Sequence, residues 1–299
     1  MKSLIETIKD AEAKKIAIGH FNISDLVSLK AIFEAAHKLG LPVIIGVSEG
    51  ERDFIGIGQA VALIKSLREE YSTKDGEYPI YLNADHTHSF QGIKEAVQAG
   101  FDSAVFDFSK SPLEENIAKT KEAAEWTRET NPDFVIEGEM GYIGGGSVIM
   151  DKIPDDIAIK EEDLTKPEDA ARFVKETRVD MLAPAVGNIH GMFKNAPNPD
   201  LNIKRIKDIK DALQAASGQA VPLVLHGGSG IKDSDFILAI KSGMSIVHIN
   251  TELRVAWRKG VEEALKNSPD EIVPYKLLPK VKEEIEKIIE ARLRLFSGI

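Results

Sequence analysis

The sequence predicts a (β/α)8 barrel, the TIM-barrel architecture, with an extra C-terminal helix, in one domain spanning residues 1–299. Three observations carry this expectation. Short Val- and Ile-rich runs recur eight times along the chain. Most of these runs are continuously apolar rather than alternating, as strands buried on both faces must be. Longer segments with helical spacing separate them. A doubly wound open sheet is the competing architecture, but no Gly-x-Gly-x-x-Gly turn follows the first run, which weakens a dinucleotide-binding reading.

The predicted strands are Ile16–Phe21, Val43–Val47, Ile80–Asn83, Ser103–Phe106, Val135–Glu139, Met181–Ala185, Leu223–His226 and Ile246–Asn250. After the first comes a helix over Asp25–Leu39, with Leu26, Leu29, Ile32, Phe33 and Ala36 on its apolar face and Gly40 as its stop. Ile93–Ala99 is a short helix ended by Gly100, and Pro112–Thr130 starts with a proline in its first turn, where a missing N–H costs little. Thr165-Lys166-Pro167-Glu168 reads as a capping box opening a helix to about Thr177. Glu252–Leu265 follows the last strand, and Pro279–Leu295 is the charged terminal helix. No internal repeat, low-complexity tract or linker interrupts the series.

Composition narrows the function. The 299 residues are 43% hydrophobic and 29% charged with a net charge of -10, which argues against a nucleic-acid partner. The absence of cysteine excludes disulfides, Cys-ligated zinc and thiol nucleophiles, so any metal must be held by His, Asp or Glu. Met1–Asp10 is an amphipathic mixture without an apolar signal core, and no apolar run reaches membrane length, so a cytoplasmic protein is expected.

Polar residues gather just past the strands, where barrels of this kind carry their chemistry. They are Asn22, Ser48, Asp85 with His86, Asp107, Glu139, His190, His226, and His248 with Asn250. Of the seven histidines, His37 lies inside a helix as a structural or exposed residue. His86, His190 and His226 fall at the ends of different strands, and three converging imidazoles make an open zinc site. The plainer alternative is three hydrogen-bonded packing histidines. Asp85 is expected to point away from His86, as an orienting carboxylate, an acid or base, or simply a helix cap. His88 is read as beginning the next helix rather than chelating with His86. The run His226-Gly227-Gly228-Ser229-Gly230 can bring backbone amides to an anion, with a hydroxyl from Thr251. A second glycine cluster, from Glu137 to Ser147, opens an aperiodic stretch to about Lys166 that reads as a lid or as a surface excursion.

Taken in order, these residues resemble the class II, metal-dependent fructose- and tagatose-bisphosphate aldolases over nearly the whole chain. The resemblance rests on His20-Phe21-Asn22-Ile23, Gly46-Val47-Ser48-Glu49-Gly50, Asn83-Ala84-Asp85-His86 with Gly100-Phe101-Asp102-Ser103, and Glu114-Glu115-Asn116-Ile117. It continues through Glu137-Gly138-Glu139-Met140-Gly141, Gly187-Asn188-Ile189-His190-Gly191 and the His226 run. It implies reversible cleavage of a ketose 1,6-bisphosphate to dihydroxyacetone phosphate and glyceraldehyde 3-phosphate, with Zn2+ on His86, His190 and His226 as a Lewis acid. Asp85 would take and return the hydroxyl proton. Asp107 and Glu139 would stand beside the metal or serve an alternate metal position. Gly227, Ser229 and Thr251 would bind phosphate, within a substrate-binding set that also holds Asn22, Ser48, Gly191, Gly228, His248 and Asn250. A monovalent cation (Na+ or K+) near that phosphate and a homodimer or homotetramer are further implications.

Three departures from the family pattern stand out. The lid has Gly146-Ser147-Val148 where acidic residues are usual, His248 stands in the place of an Asn, and Asn250 replaces an Asp or Ala. They leave open a relative acting on another phosphorylated keto-sugar, or a non-catalytic sugar-phosphate-binding protein. A metal-dependent hydrolase barrel would want an H-x-H pair on the first strand, where only His20 stands. A Schiff-base aldolase needs a lysine inside the barrel, and none of the predicted strands contains one.

Overall fold

Eight parallel strands close on themselves in the computed structural model, which describes residues 1–72, 76–144, 146–152, 160–217 and 221–299. In chain order the elements begin α1 (Leu4–Ala13), β1 (Ile18–Asn22), α2 (Leu26–Leu39), β2 (Val43–Val47), α3 (Glu49–Ile55), α4 (Ile57–Glu70), β3 (Ile80–Thr87), α5 (Phe90–Ala99), β4 (Ser103–Phe106) and α6 (Leu113–Thr130). They continue with β5 (Val135–Met140), β6 (Ile149–Met150), α7 (Pro167–Thr177), β7 (Met181–Pro184), β8 (Met192–Phe193), α8 (Ile203–Ser217), β9 (Leu223–Leu225), α9 (Asp233–Lys241), β10 (Met244–Ile249), α10 (Thr251–Asn267) and α11 (Pro274–Ser297). The barrel runs β1-β10-β9-β7-β5-β4-β3-β2, and β6 with β8 forms a separate parallel pair. This is the predicted (β/α)8 architecture. No helix among the described residues is long and apolar enough to cross a membrane.

All eight predicted strands are present, β2 and β4 with the predicted bounds. The largest change is β3, which runs on past Asn83 to Thr87. The first and last barrel strands pair in register, placing His20 beside His248. Several helices differ from expectation: α3, α4, α8 and α9 are not among the predicted ones, and α1 and α11 also depart from it. α1 was not legible as an element, yet a Ser3–Glu6 capping box starts it. Its Leu4, Ile8 and Ala11 pack on Ile18, Ile44, Tyr81, Val224 and Ile246. α11 begins at Pro274, earlier than predicted, and buries Val281, Ile285, Ile289, Leu293 and Phe296.

The capping box at Thr165 is a correction. Lys166 is the N-cap of α7 and no side chain caps it. Thr165 is buried instead, its hydroxyl donating to the Met140 carbonyl and accepting from the Ala185 amide, both at 2.9 Å. That amide and carbonyl also bond each other at 2.8 Å, so the Thr165 hydroxyl bridges a buried strand-end pair instead of capping a solvated helix end.

Candidate active site

The end of β3 sets the geometry. Pairing with β4 slips between Ala84 and Thr87, and His86 adopts a left-handed φ of 39°. The slip breaks the alternation of the strand. Asp85 and His86 therefore both line the same cavity, which corrects the expectation that Asp85 points away. A left-handed non-glycine residue costs about 1–2 kcal/mol. Buried Arg52 fastens it: its guanidinium donates to the carbonyls of Val47 (2.8 Å) and Asp85 (3.3 Å) and to the Thr87 hydroxyl (3.1 Å). Asp85 caps no helix, because Ser89 is the N-cap of α5. His88 precedes that helix without belonging to it; its amide donates to Glu49 and its ring meets the Asp107 carbonyl.

Five imidazoles crowd the mouth of the barrel, and their tilts separate them. The ring of His86 makes angles of 71° with His190 and 75° with His226, and His190 makes 57° with His226, at centroid distances of 4.8, 5.0 and 6.0 Å. One donor atom from each of these three and one from Glu139 lie within 4.8 Å of one another. Three atoms there, His190 Nε2, His226 Nδ1 and Glu139 Oε2, are buried without a hydrogen-bond partner. Unpartnered buried nitrogens aimed from different directions fit a metal ion. His20, Asp85 and His248 also bring donor atoms within 4.8 Å, as do Glu137, His226 and His248. There the rings are stacked: His20 on His248 at 3.5 Å and 3°, His248 on His226 at 4.1 Å and 23°. Lone pairs in parallel planes do not meet at a point, so neither group is a chelating set.

Carboxylates surround the tilted histidines. Glu137 Oε1 lies 2.7 Å from His226 Nε2, leaving Nδ1 free. Asp107 Oδ2 lies 3.0 Å from His86 Nδ1, and Glu139 Oε2 lies 3.4 Å from His86 Nδ1 and 3.3 Å from His226 Nδ1. Burial pulls the His86 imidazole down, but Asp85, Glu139 and Asp107 overcome it and raise it to about 9. Burial likewise opposes a proton on His226, yet Glu137 and Glu139 hold that imidazole well above its ordinary value. His190 is pushed well below it by burial and by the neighbouring histidines. The site attracts positive charge.

Asp85 is held by one oxygen. Its Oδ2 accepts from Asn22 Nδ2 at 2.9 Å, while Oδ1 is buried and unpartnered, 3.5 Å from His248 Nδ1. Asn22 also donates to Glu51 (2.8 Å), which in turn accepts from the Ser48 amide (2.8 Å) and Arg254 (2.9 Å). Glu51 and Arg52 escaped sequence reasoning. Their one signal was the charged run Glu51-Arg52-Asp53 after the second strand.

Across the cavity, of about 570 Å3, lies the glycine turn with the first residue of α10. Of the residues expected to bind substrate, Asn22, Ser48, Gly191, Gly227, Ser229, His248, Asn250 and Thr251 line it. Gly228 is the exception: its amide donates to the His248 carbonyl at 3.0 Å, so it joins β10 and is not free for an anion. Gly227 has φ 62°, and a Cβ there would lie 2.2 Å from the Ile189 carbonyl oxygen. Ser229 Oγ accepts from the amides of Asn250 (3.3 Å) and Glu252 (3.2 Å), so its own hydrogen is available to donate.

Part of the glycine-rich stretch also reaches the cavity, through Tyr142, Gly144, Gly146 and Ser147. It is tied down by the amides of His190 to Ile143 and of Met192 to Val148, both at 2.9 Å. Gly145 and residues 153–159 of the expected lid lie outside the described residues. Asp151 is not among the cavity's lining residues.

Known proteins resemble this chain in sequence and in fold. Residues 2–298 fit the family model described as fructose-bisphosphate aldolase class-II. A fructose-bisphosphate aldolase of Staphylococcus aureus (strain MW2) is 33% identical over 99% of this chain and 96% of its own length. The YdjI aldolase from Escherichia coli K12 superposes with a TM-score of 0.79 at 29% identity, covering 98% of this chain and 96% of that one. Fructose-bisphosphate aldolase (Fba) from Campylobacter jejuni, at 22% identity, shares the fold with a TM-score of 0.79 over 99% and 94% of the two chains. This chain belongs to the class II fructose-bisphosphate aldolases, a generally metal-dependent family of lyases.

Proposed function

We propose that this enzyme is a zinc-dependent aldolase that cleaves a ketose 1,6-bisphosphate to dihydroxyacetone phosphate and glyceraldehyde 3-phosphate. The observation that carries the reading is three tilted imidazoles, His86, His190 and His226, the last two with unpartnered buried nitrogens, beside the free oxygen of Asp85. Zinc held by those three would supply a Lewis acid for the carbonyl end of the substrate. Asp85 Oδ1 accepts the hydroxyl proton during cleavage and returns it during condensation. Its partner Oδ2 already accepts from Asn22, which leaves Oδ1 the freer oxygen. Glu137 orients His226 through Nε2, Asp107 orients His86 through Nδ1, and Glu139 stands between the two rings. Ser229, Thr251 and the Gly227 turn receive the phosphate of the dihydroxyacetone half at the N-terminus of α10.

A second reading, cleavage of another phosphorylated keto-sugar, is favoured by the lid. Among its described residues from Gly146 to Lys152, only Gly146 and Ser147 line the cavity, and neither is an acid. A panel of ketose mono- and bisphosphates assayed for triose release decides between them. Release from fructose or tagatose 1,6-bisphosphate supports the first, and release only from some other ketose replaces it.

A further inference from the structure

His20 has no role in the proposed chemistry, yet it is buried within it. Its ring fills the space beside Gly46, where a Cβ would lie 2.1 Å from Cε1. Ser103 Oγ donates to Asn83 Oδ1 at 2.8 Å, which leaves the amide nitrogen of Asn83 to face His20 Nε2 at 3.0 Å. An amide N–H can only donate, so Nε2 must accept and the ring proton belongs on Nδ1. Burial lowers the His20 imidazole to about 4, consistent with a neutral ring bearing one proton. His20 Nδ1 is buried without a partner, and so is Asp85 Oδ1. The same cluster brings a donor atom of His20 and one of Asp85 within 4.8 Å. The parallel stack on His248, itself 3.5 Å from Asp85 Oδ1, fixes the plane of the His20 ring.

We propose that Ser103, Asn83 and His20 form a relay that fixes His20 as its Nδ1–H tautomer and directs that N–H toward the proton-accepting carboxylate of Asp85. His20 is then a positioning residue, keeping Oδ1 aimed into the cavity without touching substrate. This inference rests on the role given to Asp85 above.

The test is nitrogen-15 solid-state spectroscopy of the zinc-loaded enzyme with labelled histidine, the His20 signals being assigned by their loss in His20→Phe. A protonated Nδ1 and a bare Nε2 at neutral pH are expected; a protonated Nε2 or a doubly protonated ring overturns the relay. His20→Phe keeps a flat ring on His248 and removes the N–H. With zinc content and KM unchanged, kcat should fall by about threefold to tenfold, less than a full hydrogen bond to a charged group would give, because the contact is longer than one. Wild-type kcat in this variant overturns the positioning role. Should His20→Phe not fold, Ser103→Ala replaces it: freeing the amide should add a protonated-Nε2 signal, and an unchanged spectrum overturns the relay. If the wild-type enzyme cleaves no ketose phosphate, the proposed function fails while the tautomer result stands on its own.

Discussion

His86 Nε2 lies 3.9 Å from Asp85 Oδ1, although the two residues are consecutive in a strand whose side chains should alternate. The left-handed turn at His86 brings both into one cavity. In the proposed reading, a metal ligand and an acid–base group thus sit side by side with separate functions. Substitution should separate them.

Asp85→Ala should keep the metal and lose turnover by about 10²–10⁴-fold, the usual contribution of a positioned acid–base group. His226→Ala should lose metal and activity together, and it also leaves Glu137 buried without its partner. Metal analysis beside steady-state kinetics checks both. Zinc lost from the first variant but retained by the second reverses the assignment.

Chelation should abolish aldol cleavage, and added zinc should restore it. In the metal-free protein His86 is raised to about 9, and His226 well above its ordinary value. Both shifts favour the doubly protonated imidazolium, whose extra proton an incoming ion must displace. Apparent zinc affinity should rise with pH through the neutral range and fall as the medium turns acidic. Calorimetry in buffers of differing ionisation enthalpy would register the released protons; zinc binding without proton release contradicts this.

Arg52→Ala removes the donors that hold the Asp85 and Val47 carbonyls and the Thr87 hydroxyl. A loss of about 1–3 kcal/mol in urea unfolding is expected from unsatisfied buried groups. Zinc affinity should weaken by about 10–100-fold, as when an outer partner of a metal ligand is removed. Normal affinity in a destabilised variant would restrict Arg52 to a folding role.

Gly227→Ala places a Cβ 2.2 Å from a backbone oxygen at a positive φ. The turn must move. Binding of dihydroxyacetone phosphate should weaken by about tenfold, equivalent to 1.4 kcal/mol, while zinc stays bound. Titration of the zinc-loaded variant with that ligand measures the effect, and wild-type affinity would place the phosphate elsewhere.

Borohydride added with substrate should trap no covalent adduct. Lys15 and Lys110 flank strands, but no barrel strand contains a lysine. A stable adduct seen by mass spectrometry would contradict a metal-based mechanism.

The sequence by itself determined the order of strands and helices and the polar residues at the strand ends. Both are local: apolar runs make buried strands, and parallel strands present all their C-terminal ends on one face, so a residue just past a strand reaches the mouth. Asn22, Ser48, His190, His226 and Asn250 were legible for that reason. The sequence also singled out His86, His190 and His226, but left packing histidines as the alternative, and only the tertiary structure shows how their rings are turned. His86, His190 and His226 differ from His20 and His248 in ring tilt, which depends on a register slip in β3 and on the closure of β1 against β10. The tertiary structure also took Gly228 out of the anion cradle and brought Arg52 and Glu51 into the site. Those outcomes follow from torsions and contacts between segments remote in the chain, and spacing along one strand does not encode them.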